Sequence, residues 1–226
     1  MKAMVLAAGT GSRLRPLTEN TPKPLITISG ETLIDRHLKK LGQAGHTEIV
    51  VNISHLGGKI ENHVGDGSQF SVKVQYSREL PTPLETGGGI RNALPLLGEE
   101  PFIVVNGDIW TDFDYSLLKN LPKNNESAHL IVVPKEKSAK TSDFNIERGL
   151  LVRDKHNIFT YSGIGVFRPD VFPPAPTPIT KLAPLLFQFS AEQSLGGTLY
   201  DGYWFDIGTP SRLERANRLI AAAQFE

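Results

Sequence analysis

The sequence predicts an α/β fold in which a mixed, mostly parallel sheet carries helices on both faces. Short apolar runs alternate with amphipathic segments, the pattern of strands that return in parallel through crossover helices. The first apolar run, Ala3 to Ala8, turns at once into the glycine-rich basic stretch Gly9-Thr10-Gly11-Ser12-Arg13. That is how a buried strand delivers backbone amides to an anion. The length of 226 residues suits one domain able to bury a core unaided.

Taken in order, Thr32 to Ala44 places Leu33, Ile34, Leu38 and Leu41 on one face of a helix that Gly45 ends. Glu48 to Asn52 reads as a buried strand, Leu56 to Val64 as a short helix closed by Gly65-Asp66-Gly67, and Val72 to Tyr76 as a third strand. A proline-containing connection leads to Leu84-Glu85-Thr86-Gly87-Gly88-Gly89, which opens a helix running to about Leu97. Phe102 to Val105 is a fourth strand, ending in Asn106-Gly107-Asp108. Beyond Asp114 the expected elements are a strand over Leu130 to Val133, a hairpin over Asp143 to Val152 turning at Arg148-Gly149, and a strand over Tyr161 to Phe167. Five prolines between Pro169 and Pro178 exclude helix and central strand there. A helix over Ile179 to Phe189, a strand over Trp204 to Ile207 and a closing helix from Pro210 to Ala223, capped by Thr209, complete the chain. The expected organisation is a single domain, residues 1–226: a first part over about 1–112, a second over about 113–209, and the closing helix 210–223.

Composition removes several function classes. Lys plus Arg equals Asp plus Glu, 24 each, which argues against a nucleic-acid binder. No cysteine is present, so thiolate zinc sites, disulfides and cysteine nucleophiles are excluded together. The histidines form no His-x-x-x-His pair, and no apolar run approaches a membrane span. With a strand almost at the N-terminus and no signal-like segment, the expectation is a cytoplasmic protein without membrane partners, a monomer or weak dimer.

The opening loop concentrates positive charge. Gly9 and Gly11 permit close approach of the main chain to a ligand, and Arg13, Arg15 and Lys23 supply charge around it. Pro22 and Pro24 stiffen the segment that presents Lys23. The dinucleotide fingerprint fails, because Leu14 stands where its third glycine belongs, and no Gly-Lys-Ser/Thr tripeptide provides a Walker loop. What remains, Leu6 to Leu25, resembles the signature loop of the sugar-phosphate nucleotidyltransferases, Leu-Ala-Ala-Gly-x-Gly-x-Arg-Leu-x-Pro-Leu-Thr followed by Pro-Lys-Pro-Leu. Trp204-Phe205-Asp206-Ile207-Gly208-Thr209-Pro210 is similar to a late segment of the same family.

The resemblance implies a Rossmann-like, nucleotide-diphospho-sugar transferase fold of the GT-A kind. It implies a reaction in which a nucleoside triphosphate and a sugar 1-phosphate give a nucleotide sugar and pyrophosphate. Among family members the likeness runs nearly end to end with short bacterial ones of peptidoglycan recycling, which implies UTP and N-acetylmuramate α-1-phosphate as substrates. The attacking phosphate is already an anion, so no general base is needed, in keeping with a sequence that lacks a persuasive nucleophile-and-base set. By position, Lys23 meets the α-phosphate and Arg13 the leaving pyrophosphate, with Asp108 the third catalytic residue. Ala7, Ala8, Gly9, Thr10, Gly11, Ser12, Thr86, Gly87, Gly88 and Asn106 line the nucleotide. Asn106, Asp143, Ser162, Gly163, Lys181 and Trp204 line the sugar phosphate. Asp108 and Asp206 hold Mg2+, whose octahedral oxygen site suits two carboxylates with phosphates and water.

Alternatives stay open at this point. Read alone, Asp108 is more readily a turn residue or helix cap, Lys181 more readily a solvated helix lysine, and Thr86 is compatible with a helix cap. Thr86 also replaces the glutamine with which thymidylyl- and many glucose uridylyl-transferases of the family read the pyrimidine edge, so backbone groups around Gly87 and Gly88, with Ala7 and Ala8, are the alternative readers. Mannose- or heptose-1-phosphate guanylyl transfer and glucose-1-phosphate uridylyl or thymidylyl transfer are the rivals. A ligand-binding subunit without turnover is a further alternative.

Overall fold

The computed structural model describes residues 1–135, 142–174 and 177–223. In chain order the strands are β1 (Ala3–Leu6), β2 (Thr27–Ile28), β3 (Glu31–Thr32), β4 (Glu48–Ile53), β5 (Lys73–Arg78), β6 (Phe102–Asn106), β7 (Ile109–Thr111), β8 (Ala128–Pro134), β9 (Asn145–Glu147), β10 (Leu150–Val152), β11 (Phe159–Phe167), β12 (Leu195–Leu199) and β13 (Trp204–Asp206). The α-helices are α1 (Leu33–Gln43), α2 (Gly57–Val64), α3 (Glu85–Leu97), α4 (Ala183–Ala191) and α5 (Pro210–Ala223).

Nine strands form one sheet in the order β5-β4-β1-β6-β11-β8-β12-β10-β9. The first four are parallel, β12 is parallel to β8, and only β11 and β10 run against the rest. The mixed, mostly parallel sheet expected from the sequence is present. Its central strands are buried on both sides, so their apolar residues are sorted by the two-residue period of a strand. Val5, Ile49, Val51, Ile103 and Val105 face Ile34, Leu38 and Leu41 of α1 and Ile60 and Val64 of α2. Met4, Val50 and Val104 face Ile90, Ala93 and Leu97 of α3, with Leu186 and Phe189 of α4 in the same core. A third, smaller core joins Leu14 of the opening loop to Ile26, Ile28, Trp110, Phe205 and Ile207, closed by Ala216 and Ile220 of α5.

Local chemistry explains the element ends. Thr32 caps α1 by accepting from the Asp35 amide at 3.2 Å, an interaction worth about 1 kcal/mol. Arg148 and Gly149 take φ of 51° and 83°, the tight turn expected between β9 and β10. The helix expected from Ile179 begins only at Ala183, with Pro184 in its first turn, where a missing N–H costs nothing. The preceding residues stay outside the helix because Thr180 is committed elsewhere: its N–H donates to the Leu84 carbonyl and its carbonyl accepts from Gly88. β12, the Leu-Gly-Gly-Thr-Leu strand, goes unanticipated because its glycines hide the apolar signal. Part of the proline-rich run, 175–176, lies outside the described residues, as does 136–141. No helix among the described residues is long and apolar enough to cross a membrane.

Candidate active site

β1 and β6 lie side by side at the centre of the sheet, with Leu6 opposite Asn106. Their carboxyl ends open onto a cavity of about 470 Å³, lined by Leu6 to Thr10, Lys23, Pro24, Asn52, Glu79, Pro83, Glu85, Thr86 and Asn106 to Asp108. Open α/β sheets bind ligands at such strand ends. Of the residues expected at the site, Ala7, Ala8, Gly9, Thr10, Lys23, Thr86, Asn106 and Asp108 line this cavity.

The loop after β1 is held from below. Ala7 N–H donates to Asn52 Oδ1 at 2.7 Å, Asn52 Nδ2 donates to Glu79 Oε1 at 2.6 Å, and Glu79 Oε2 accepts from Leu84 N–H at 2.6 Å. Asn52 and Glu79 are almost wholly buried. The relay fixes the start of the glycine loop against the segment leading into α3. Sequence reasoning missed both residues; the one available signal was a polar Asn closing an otherwise apolar strand. Gly11 stands at φ 64° beside Thr18, whose hydroxyl donates to the Gly11 carbonyl at 2.7 Å. Ser12 and Arg13 follow in a short 3-10 turn.

Lys23 is buried, and Nζ forms an ion pair with Asp108 Oδ2. Asp108 follows β6 directly and precedes β7, which pairs antiparallel with β13 so that Asp206 sits opposite Ile109. The Ile207 amide donates to the Asp108 carbonyl at 2.9 Å. Two segments far apart in sequence thus bring the carboxylates of Asp108 and Asp206 to one place. Burial, and then the negative charge of Asp108, push the Asp206 carboxyl above its ordinary range. Lys23, Arg212 and Arg13 pull it back, Arg212 through a direct ion pair. Among the described residues no group of three or more His, Cys, Asp or Glu side chains converges as for an all-protein metal cage. A pair of partly exposed, oxygen-donor carboxylates suits a hard cation that keeps further oxygen ligands and water.

Gly87 and Gly88 lie outside the cavity lining, and their missing side chains serve packing. A Cβ on Gly87 would stand 2.9 Å from the Thr180 carbonyl, and one on Gly88 would collide with the carbonyl of Pro178. The Gly88 amide is spent on Thr180 O at 2.9 Å. Thr86 lines the cavity beside Glu85, which has a left-handed φ of 62°. Lys181 follows that same packed segment, its side chain exposed and without a hydrogen bond or ion pair among the described residues.

The remaining expected residues cluster beyond Asn106. β11 slips register between Tyr161 and Ile164, leaving Ser162 and Gly163 as a bulge. Gly163 adopts φ 85°, and a Cβ there would meet Asn106 Nδ2 at 2.6 Å. The Ser162 hydroxyl donates to the Ile131 carbonyl at 2.7 Å and its own carbonyl accepts from Trp204 Nε1 at 2.8 Å. Asp143 Oδ2 accepts from the Tyr161 amide at 2.9 Å. The structure therefore brings Asn106, Ser162, Gly163 and Trp204 together, with Asp143 one step behind them.

The chain belongs to the nucleotidyl transferase family, whose match spans residues 2–145, and it is an enzyme of that class, a nucleotidyltransferase. It is 44% identical over 230 residues to the N-acetylmuramate alpha-1-phosphate uridylyltransferase of Neisseria meningitidis, covering 98% of this chain and 99% of that one. The enzyme of the same name from Caulobacter vibrioides is 32% identical, covering 98% and 97%. Among solved structures, HddC from Yersinia pseudotuberculosis, complexed with GMP-PN, shares the fold with a TM-score of 0.77 at 23% identity, over 97% of this chain and 99% of that one.

Proposed function

We propose that the protein transfers a uridylyl group from UTP to a sugar 1-phosphate, N-acetylmuramate α-1-phosphate, giving a UDP-sugar and pyrophosphate in the cytoplasmic recycling of peptidoglycan. The observation that carries the choice of sugar and base is the 44% identity, over almost the whole of both chains, to an enzyme with that name. The strand-end cavity, with its glycine loop and buried lysine, supports the reaction class.

In this reading the amides of Gly9, Thr10, Gly11 and Ser12 cradle the triphosphate, and Arg13 neutralises the pyrophosphate as it leaves. Lys23 exchanges its partner Asp108 for the α-phosphate. A sugar-phosphate oxygen forms the new bond to the α-phosphorus while the bond to the pyrophosphate oxygen breaks in line. Asn106, Gly163, Trp204 and Lys181 orient the sugar phosphate, with Ser162 and Asp143 holding the bulge that shapes this side. Asp108 and Asp206 would hold a magnesium ion, which when bound supplies positive charge to the reacting phosphates. Catalysis is then positioning and charge neutralisation, and no side chain has to take a proton.

The test follows pyrophosphate release in magnesium from UTP, GTP or dTTP, each with N-acetylmuramate, glucose, N-acetylglucosamine or mannose 1-phosphate. Release confined to UTP with the muramate is expected. Preference for GTP with mannose 1-phosphate would reassign the base and sugar pockets to the guanylyl reading. No release from folded, nucleotide-binding protein would leave a binding subunit.

A further inference from the structure

The two carboxylates assigned above to magnesium each already have a cation. Lys23 pairs with Asp108, and Arg212 Nη1 pairs with Asp206 Oδ2. Lys23 belongs to the opening segment and to its phosphate chemistry. Arg212 comes from the first turn of α5, and nothing in the sequence pattern gives it a task.

Its placement is built by the fold. Thr209 Oγ1 accepts from the Arg212 amide at 3.4 Å, and Ala216 and Ile220 anchor α5 in the core that also holds Phe205 and Ile207. Between Asp206 and α5 lies Gly208. A Cβ there would stand 3.4 Å from Arg212 Nη1, 3.4 Å from Asp206 Oδ1 and 3.5 Å from Arg13 Nη1. Two guanidinium groups and one carboxylate thus converge over a residue that has no side chain. Arg212 and Asp206 are about one-third exposed, 35% and 30%, so their contact can open without disturbing the core.

Charge makes the contact exchangeable. A carboxylate half-buried beside another requires a cation, and Arg212 provides one. A divalent ion bound to Asp206 provides more charge at the same oxygens and repels the guanidinium. The displaced fork presents donors matched to phosphate, next to those of Arg13. We propose that Arg212 is an exchangeable counter-ion, which positions Asp206 until a divalent cation takes that carboxylate and then turns to a substrate phosphate beside Arg13. This rests on the magnesium assignment to Asp108 and Asp206.

The experiment titrates the nucleotide-free full chain with manganese(II), with free ion read by electron paramagnetic resonance, alongside substrate kinetics. Arg212→Gln is expected to bind manganese about three- to fivefold more tightly, the size of a partly exposed ion pair. Arg212→Lys should fall between, Arg218→Gln on the same helix should match the wild type, and Asp206→Asn should lose binding. In turnover, Arg212→Gln should raise the KM of one phosphorylated substrate by about tenfold, a lost charge-assisted contact. Metal affinity and substrate affinity then move in opposite directions, whereas a merely structural arginine would weaken both. Wild-type manganese affinity in Arg212→Gln, with binding lost in Asp206→Asn, overturns the exchange and leaves the magnesium assignment standing. Undiminished binding in Asp206→Asn overturns both. Tighter metal binding with an unchanged KM for every substrate overturns the phosphate contact. Should Arg212→Gln melt early, Arg212→Lys carries the same comparison.

Discussion

Between β1 and β6 the site is made of loops set on parallel strand ends, while beyond β6 it is made of a bulge in an antiparallel strand. In the first region the groups that face the cavity are consecutive in sequence, Leu6 to Thr10 and Asn106 to Asp108. In the second they are assembled across strands: Gly163 packs on Asn106, the Ser162 carbonyl holds Trp204, and Asp143 holds the Tyr161 amide. A loop at a strand end can change its ligand contacts by changing one residue. A bulge held by several mutual hydrogen bonds transmits each change to its neighbours. Under the proposed function the first arrangement serves the triphosphate, and the second serves the sugar, whose shape must be particular.

Substitutions can break or sharpen this contrast. The largest effect is expected at the seam: Asp108→Asn should slow pyrophosphate release by about a hundredfold or more, and it should also lower the urea midpoint, because it strips the buried Lys23 ammonium of its ion-pair partner. Near wild-type turnover in magnesium would remove Asp108 from the metal. Beneath the loop, Asn52→Ala leaves the buried Glu79 carboxylate and the Ala7 amide short of a partner. It should cost about 2–4 kcal/mol in equilibrium unfolding, and a loss under 1 kcal/mol would mean that the relay does not support the loop. Gly88→Ala drives a methyl group into the Pro178 carbonyl and should cost about 2–3 kcal/mol while leaving the KM for nucleotide nearly unchanged in the protein that remains folded. A raised nucleotide KM without loss of stability would restore Gly88 to the nucleotide pocket.

Behind β7, burial pushes the His37 imidazole from 6.5 down to about 4, so it stays neutral in the folded chain. The unfolded chain binds a proton there below pH 6.5, hence stability is full above that value and drains away as pH falls toward 4. The loss between pH 7 and 5 is about 2 kcal/mol. A His37→Phe protein should show a flatter denaturation profile over that window, and an unaltered slope would assign the acid sensitivity to other groups. The smallest effect belongs to Lys181, exposed beside the packed Thr180. Lys181→Ala should raise the KM for the sugar phosphate about threefold, a single screened charge, and leave stability alone.

Legibility in the sequence follows the same divide. The parallel half could be read because each of its strands is a continuous apolar run and each turn carries its own glycine, from Gly9 to Asn106-Gly107-Asp108. The site residues there are neighbours in sequence. Lys23 and Asp206 were legible through motif resemblance; that Lys23 pairs with Asp108, and Arg212 with Asp206, was not, because pairing depends on β13 returning beside β7. Gly87 and Gly88 are expected beside the base, where backbone groups could read its edge; the structure also packs them against a neighbouring segment. The approach of Pro178 and Thr180 to them has no local signal in the sequence. β12 was hidden by its glycines, and Asn52 and Glu79 by the distance between them, which no local pattern spans.

The β7–β13 ribbon also sets an order of assembly. The opening loop, Lys23 and Asp108 leave the ribosome long before Asp206, which reaches its place only when the last strand closes and α5 covers Leu14, Trp110 and Phe205. A growing chain therefore holds its opening loop, Lys23 and Asp108 before β13 brings the second carboxylate beside them. α5 acts as the clasp: its docking onto Leu14, Trp110 and Phe205 brings Arg212 to Asp206.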